Sequence, residues 1–299
     1  MIDRKKYRVA GHVFEVLMDG KSWIWEKMEE PYGPFECNEE KTLFSLALDE
    51  EDLRPEDMQL VYSNKGEGEP GFIELSVYKG AKGFFFEFIQ PGSDIVNGKL
   101  FISADLTDAE LYLDGDKLRQ WLTFNTAANF CYLLSTACRQ TVLSHASSVI
   151  YKDRAYLFLG KSGTGKSTHS RMWLKALENV ILMNDDHPVI RIADDGSVIA
   201  YGSPWSGKTR CYKNLQAPVG GIIRISRAPY NKPRRLSIIE SYASLMTSFS
   251  GMTWERELAD GRDRTIQGII AKVPCWVMEC LPDENAAVVC SESVTKIWA

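Results

Sequence analysis

The stretch FLGKSGTGKSTHSRMW, residues 158–173, decides how the chain is read. An apolar run enters it, three glycines and two lysines fall within its first nine residues, and a helical pattern leaves it. Residues 160–167 match G-x-x-x-x-G-K-[ST], a pattern that cradles phosphate when it follows a strand and opens a helix. Consecutive backbone N–H groups can wrap an anion only where no Cβ blocks the approach and φ can turn positive, which Gly163 and Gly165 allow. The helix predicted over residues 167–179 points its positive end at the same anion. Lys166 is then placed to reach the β- and γ-phosphates, and the Ser167 hydroxyl to ligate Mg²⁺. Gly160, Ser162, Gly163, Thr164, Gly165 and Thr168 complete the candidate nucleotide-contacting set. A glycine turn that merely caps a helix explains neither the Lys-Ser pair nor the spacing.

Working outward, Ile181-Leu182-Met183-Asn184-Asp185-Asp186 is an apolar run ending in two carboxylates, about 20 residues beyond the loop. A strand that delivers acidic side chains to its carboxyl end suits a Mg-nucleotide site. Adjacent residues of a strand point to opposite faces, so the two carboxylates divide their roles: one for the metal, one for a proton or a nucleophile. Read without the loop, the same residues make an Asx-type turn before Pro188. Further on, Ser203-Pro204-Trp205-Ser206-Gly207-Lys208-Thr209-Arg210 is a polar turn in which Lys208 or Arg210 is placed to neutralise charge on a transferring phosphoryl group, or to sit solvated on a surface. Arg224 and Arg227 flank a strand predicted over residues 221–225 and face either the site or solvent.

The first hundred residues read as strands over 7–18, 43–48, 58–63, 72–78, 83–89 and 99–104, with turn signals at 66–71 and 91–92. They show no catalytic pattern. Apolar residues at spacings of three to four predict a helix over 116–139. Strands follow over 141–150 and 155–159. In the later part the pattern predicts an exposed basic loop at Lys232 and Arg234-Arg235, helices over 238–250 and 254–259, and a last strand over 274–280. The expected organisation is a β-rich domain over 1–115, a linking helix over 116–140 and a nucleotide-binding α/β domain with a mixed sheet over 141–299.

Charge divides the same way: residues 1–140 carry 15 basic and 25 acidic side chains, residues 141–299 carry 20 and 15. The half with the glycine loop is the basic half, suited to a polyphosphate, but its excess is too small to argue for nucleic acid. No apolar stretch approaches the roughly 20 residues of a membrane span, and a cytoplasmic location is the default expectation. The seven cysteines include no C-x-x-C pair, so buried reduced thiols are expected rather than a zinc site or disulfide framework.

These motifs together resemble the catalytic domain of the HPr kinase/phosphorylase family, whose loop type is shared with ATP-dependent phosphoenolpyruvate carboxykinase. The resemblance rests on His145-Ala146-Ser147-Ser148-Val149, on Tyr156-Leu157-Phe158-Leu159-Gly160 leading into Ser162–Ser167, on Asn184-Asp185-Asp186 and on Tyr201-Gly202-Ser203-Pro204-Trp205. It spans about residues 141–290. It implies that Lys166 and Ser167 bind phosphate and Mg²⁺, that Asp186 is a second metal ligand, that Asp185 is the base toward an acceptor hydroxyl, and that His145 lies beside the metal or phosphate. His169 and His187 receive no role, and His12 reads as structural. The glycine- and arginine-rich signature that accompanies phosphorolysis in the bifunctional family members is absent, so phosphorylase activity is not expected. Residues 1–140 show no basic cluster for an oxaloacetate site, so decarboxylation is not expected either.

The expectation is an ATP- and Mg²⁺-dependent kinase acting on a hydroxyl of a protein, peptide or small molecule, with Asp185, Lys166, His145 and Lys208 as its catalytic residues. The alternative is a nucleotide-binding regulatory switch without kinase chemistry; a carboxykinase-like enzyme ranks third. Nucleic acid and membrane are not expected partners, and association with further copies of the chain is left open.

Overall fold

A computed structural model describes residues 1–53, 56–66, 73–207 and 209–298. The chain is mixed α/β, with two large mixed sheets, and it divides into two compact units: residues 1–136 with Thr253–Glu255, and residues 137–252 with 256–299.

The first unit is built on β1 (Ile2–Val9), β2 (His12–Asp19), α1 (Trp23–Tyr32), β3 (Glu36–Cys37), β4 (Phe44–Asp49), β5 (Gln59–Ser63), β6 (Glu74–Gly80), β7 (Gly83–Ile89), β8 (Val96–Ser103), β9 (Asp108–Leu113) and α2 (Lys117–Thr136). Its sheet runs β3-β1-β2-β4-β9-β8-β7-β6-β5, parallel where β4 meets β2 and β9 and antiparallel elsewhere. The single strand expected over 7–18 is a hairpin. Ala10 and Gly11 both take positive φ (49° and 78°), which reverses the chain in two residues and keeps the right-handed twist. Phe14 stacks on Phe44, and Tyr132 of α2 packs edge-on to Phe14 while its hydroxyl donates to the Val9 carbonyl at 3.0 Å. Trp254 packs on Phe84 and Phe86. The strand expected from Phe72 begins, within the described residues, at Glu74; Phe72 itself and most of the 66–71 turn lie outside them. Helix α1 and strand β9 have no counterpart in the sequence-based expectation.

The second unit contains β10 (Thr141–Leu143), β11 (Ala146–Tyr151), β12 (Arg154–Leu159), α3 (Lys166–Ala176), β13 (Ile181–Asp186), β14 (Val189–Ile192), β15 (Val198–Tyr201), β16 (Gln216–Arg227), β17 (Lys232–Arg235), α4 (Ile238–Met246), α5 (Arg256–Ile270), β18 (Cys275–Cys280) and α6 (Glu284–Thr295). The sheet order is β10-β14-β15-β16-β12-β11-β13, and β18 lies against β16 with β17 beside it. Residues 232–235, expected as a loop, are therefore a strand: Lys232 pairs with Glu279.

Alternation along β12 and β16 sets the two cores. Leu157, Leu159 and Ile222 pack with Leu245, Phe249 and Ile266 on the α4/α5 face. Tyr156, Phe158, Ile223 and Ile225 pack with Trp173, Ala286 and Cys290 on the α3/α6 face. Both faces of these strands are covered, which is why they read as unbroken apolar runs. The strand expected over 141–150 is broken at Ser144 and His145. There the backbone turns aside, Ser144 N–H to the Pro188 carbonyl at 3.1 Å and His145 N–H to the Ser248 carbonyl at 2.7 Å. None of the seven cysteines forms a disulfide; five are buried, Cys37 is half-buried and Cys138 exposed. Among the described residues no helix is long and apolar enough to cross a membrane.

Candidate functional site

Strand register assembles the candidate residues. Leu159 of β12 pairs with Ala146 of β11, Ala146 pairs with Asp186 of β13, and on the other side Leu159 pairs with Arg224 of β16. One row across four strands thus carries Asp186, His145 just before Ala146, the start of the glycine loop just after Leu159, and Arg224. Strands lie about 4.8 Å apart, so the loop stands some 10 Å from the β13 backbone and one strand from β16.

The loop itself is shaped by positive φ at Gly163 (74°) and Gly165 (114°). A side chain at Gly163 would meet nothing within 4 Å, so backbone conformation and not crowding selects glycine there. The Thr164 hydroxyl donates to the Lys161 carbonyl at 2.7 Å, and Arg227 donates to the Gly163 carbonyl. Gly165 is the N-cap of α3 and supplies no side-chain bond, which leaves the first-turn N–H groups of Lys166, Ser167 and Thr168 for an anion. Thr168 also accepts from Arg171 at 3.3 Å, and Ser162 is exposed. Lys166 Nζ donates to the Gly160 carbonyl at 3.0 Å. Burial draws the pKa of Lys166 below its ordinary value against the opposing pull of Asp186 and Asp185.

Asp185 is 7% exposed, and its Oδ1 has no hydrogen-bond partner among the described residues. Asp186 lies 3.4 Å from His145 Nε2 and 3.1 Å from His187 Nδ1. Burial alone would raise Asp186, but the hydrogen bond from His187 and the charges of His187, His145 and Lys166 hold it below the usual carboxylate range. His145 is pushed below its ordinary value by burial and by Lys166, although Asp186 pulls the other way. The structure brings Lys166, Asp185, Asp186 and His145 together, with Ser167 at the helix start. Lys208 lies outside the described residues, and Arg210 is exposed on the same turn.

Two residues carry more of this geometry than their place in the sequence suggested. Asn184 is fully buried and donates from Nδ2 to the carbonyls of Ser203 (3.3 Å) and Trp205 (3.1 Å), while its Oδ1 accepts from the backbone N–H of Asp186 and His187, each at 2.9 Å. It ties the Asp185–Asp186 turn to the 203–205 segment. Asn184→Ala strands several of these buried groups at about 1–3 kcal/mol each, so a urea melt should show a loss of at least about 3 kcal/mol. Asn184→Asp should cost more, because it turns the donor toward two carbonyls into a buried charge. The other residue is Arg224, whose neighbours lie at the end of α4 and just beyond it.

His169, given no role from the sequence, is buried and edge-on to Phe158, and its Nε2 accepts from Trp173 Nε1–H at 3.1 Å. Burial lowers its pKa from 6.5 to about 4. Below pH 6.5 the unfolded chain takes up a proton that the folded chain refuses until about pH 4. Stability therefore falls as pH drops through that window, by about 3 kcal/mol in all. His169→Gln, which keeps an acceptor for Trp173, should flatten that part of a denaturation-versus-pH profile measured without nucleotide or divalent ions.

On the α3/α6 face a cleft of about 580 Å³ opens beside the loop, lined by Gly163, Thr168, Met172, Ile225, Leu281 and Pro282 among others. Among the described residues no group of three or more His, Cys, Asp or Glu is arranged to hold a metal ion. The donors on hand are the Ser167 hydroxyl and the Asp186 carboxylate.

No protein-family model matches this chain, and no curated protein matches it. Among solved structures it is similar to the HPr(Ser) kinase/phosphatase from Coxiella burnetii, over 52% of this chain and 89% of that one, at 12% identity and a TM-score of 0.31. No function is carried across at that likeness.

Proposed function

We propose that this chain is an ATP- and Mg²⁺-dependent phosphotransferase that moves a γ-phosphoryl group to a hydroxyl acceptor. One observation carries the reading: the register row that sets the glycine loop and Lys166 between Asp186 on one side and Arg224 on the other, with Asp185, its Oδ1 without a partner among the described residues, beside them. The residues fit the ligands. Uncapped N–H groups and a lysine suit the phosphates, and the apolar cleft beside the loop suits the nucleoside. Ser167 and Asp186 would hold Mg²⁺, two protein donors being usual for an ion that keeps its waters and phosphate oxygens. When bound, that ion neutralises charge shared between the phosphates.

Lys166 would bind the β- and γ-phosphates. Asp185 would accept the proton of the acceptor hydroxyl while the hydroxyl oxygen bonds to the γ-phosphorus and the bond from that phosphorus to the β–γ bridging oxygen breaks, releasing ADP. His145, with its Nε2 3.4 Å from the carboxylate, would brace Asp186. A cell extract supplied with γ-labelled ATP tests the reading. Transfer of label to a hydroxyl-bearing acceptor supports it; firm Mg-ATP binding with no transfer to any acceptor favours a nucleotide-binding switch instead.

A further inference from the structure

Arg224 is the charged group of the register row that the chemistry above leaves unused. It is half-buried on β16, one strand from the loop, and opposite Leu159 in the parallel register. Every group that holds it is neutral. Nε donates to the Ser244 hydroxyl at 2.7 Å, and Nη2 donates to the Ser244 carbonyl, to the Thr247 hydroxyl at 2.9 Å and to the Ser248 hydroxyl at 3.0 Å. Among the described residues no carboxylate pairs with it, and its Nη1 amino group makes no hydrogen bond.

This is an unusual way to treat a guanidinium, because a half-buried cation ordinarily finds an anion to offset its lost hydration. Here three hydroxyls and a carbonyl at the end of α4 fix its orientation and leave its charge intact. Lys166, a charge of the same sign, lies near enough to repel it. Two cations that flank a row of uncapped N–H groups, one bound only to neutral partners, form a site whose missing partner is a polyanion. Fixing a charge in advance without neutralising it is how a protein prepares for charge that develops on a reacting group.

The fixing network also reaches the opposite side of the site. The Ser248 carbonyl accepts from the backbone N–H of His145, and His145 faces Asp186. Ser248, two residues beyond α4, thereby holds Arg224 and His145 together.

Resting on the phosphotransferase reading, we propose that Arg224 is the second cation of the phosphate site, its unbonded Nη1 edge contacting the terminal phosphate of the bound nucleotide. The β-phosphate falls to the loop and the terminal phosphate to Lys166 and Arg224 jointly. Removing Arg224 should therefore weaken a triphosphate far more than a diphosphate.

The test is calorimetric binding of Mg-ADP and of Mg-AMP-PNP, a non-hydrolysable triphosphate, to the wild type, Arg224→Met and Arg224→Lys, with a melting curve for each. A lost charge-assisted contact predicts that Arg224→Met weakens AMP-PNP about ten- to a hundredfold while ADP changes little. Arg224→Lys, which keeps the charge and loses the fork, should fall between. If Arg224→Met lowers the melting temperature and leaves the AMP-PNP to ADP affinity ratio of the wild type unchanged, Arg224 is a structural tie to α4 and the proposal is wrong. Should Arg224→Met fail to fold, the ratio in Arg224→Lys decides in the same way. If the wild type binds neither nucleotide, the phosphotransferase reading falls and this inference falls with it; if the wild type binds both and only the ratio fails to move, the inference falls alone.

Discussion

Lys166→Ala should abolish the thermal stabilisation that Mg-ATP gives the wild type. Ligand at about 100 times its dissociation constant adds roughly 2.7 kcal/mol to the native state, a shift of several degrees for a chain of this size. The expectation follows from where that side chain is held. Lys166 Nζ is held at the mouth of the loop by the Gly160 carbonyl, and its charge faces Asp185 and Asp186. Without it, a triphosphate would approach the buried Asp185 and the half-buried Asp186 with that charge gone from between them. Lys161 is the control: it is exposed, and only its backbone carbonyl takes part in the loop, as acceptor for Thr164. Lys161→Ala should keep the shift. Loss of the shift in both variants would mean that general positive charge, and not the loop geometry, attracts the nucleotide.

The second large effect belongs to Asp185→Asn. Phosphoryl transfer should fall by about 10²- to 10⁴-fold, the contribution of a positioned general base, while Mg-ATP binding persists. The same change should not lower the melting temperature. A carboxylate that is 7% exposed with a partnerless Oδ1 is a local cost to the fold, and a neutral amide of the same shape lessens it. Stability retained together with lost turnover is the signature of a residue kept for chemistry. Stability lost with turnover unchanged would assign Asp185 to the fold and require another base. Both readouts come from one preparation: a melting curve and single-turnover transfer from labelled ATP.

The parts of the site that could be read in the sequence are those whose geometry is local. Glycines at 163 and 165 announce positive φ because few other residues tolerate it, and an apolar run before them and a helical pattern after them fix strand, loop and helix within about 20 residues. The pair Asp185-Asp186 could be placed at a strand end for the same reason. The expected strand over 141–150 failed at Ser144 and His145 because what breaks it is remote: the carbonyls of Pro188 and Ser248. Strands β14 and β15 and helix α6 went unseen. Each is short or weakly patterned, and β14 is held on one side by β10, which lies well before it in the chain.

By itself, then, the sequence determined a glycine loop fit for phosphate, the two carboxylates downstream of it and an α/β frame to carry them, since each follows from backbone freedom and side-chain periodicity over one or two elements. Only the tertiary structure decided which polar residues serve the site. Asn184 finds its partners some 20 residues on, at Ser203 and Trp205, and Arg224 finds Ser244, Thr247 and Ser248 at a similar remove. A polar side chain takes whatever partner strand register and helix packing bring within 3 Å, and neither is written in the residues beside it.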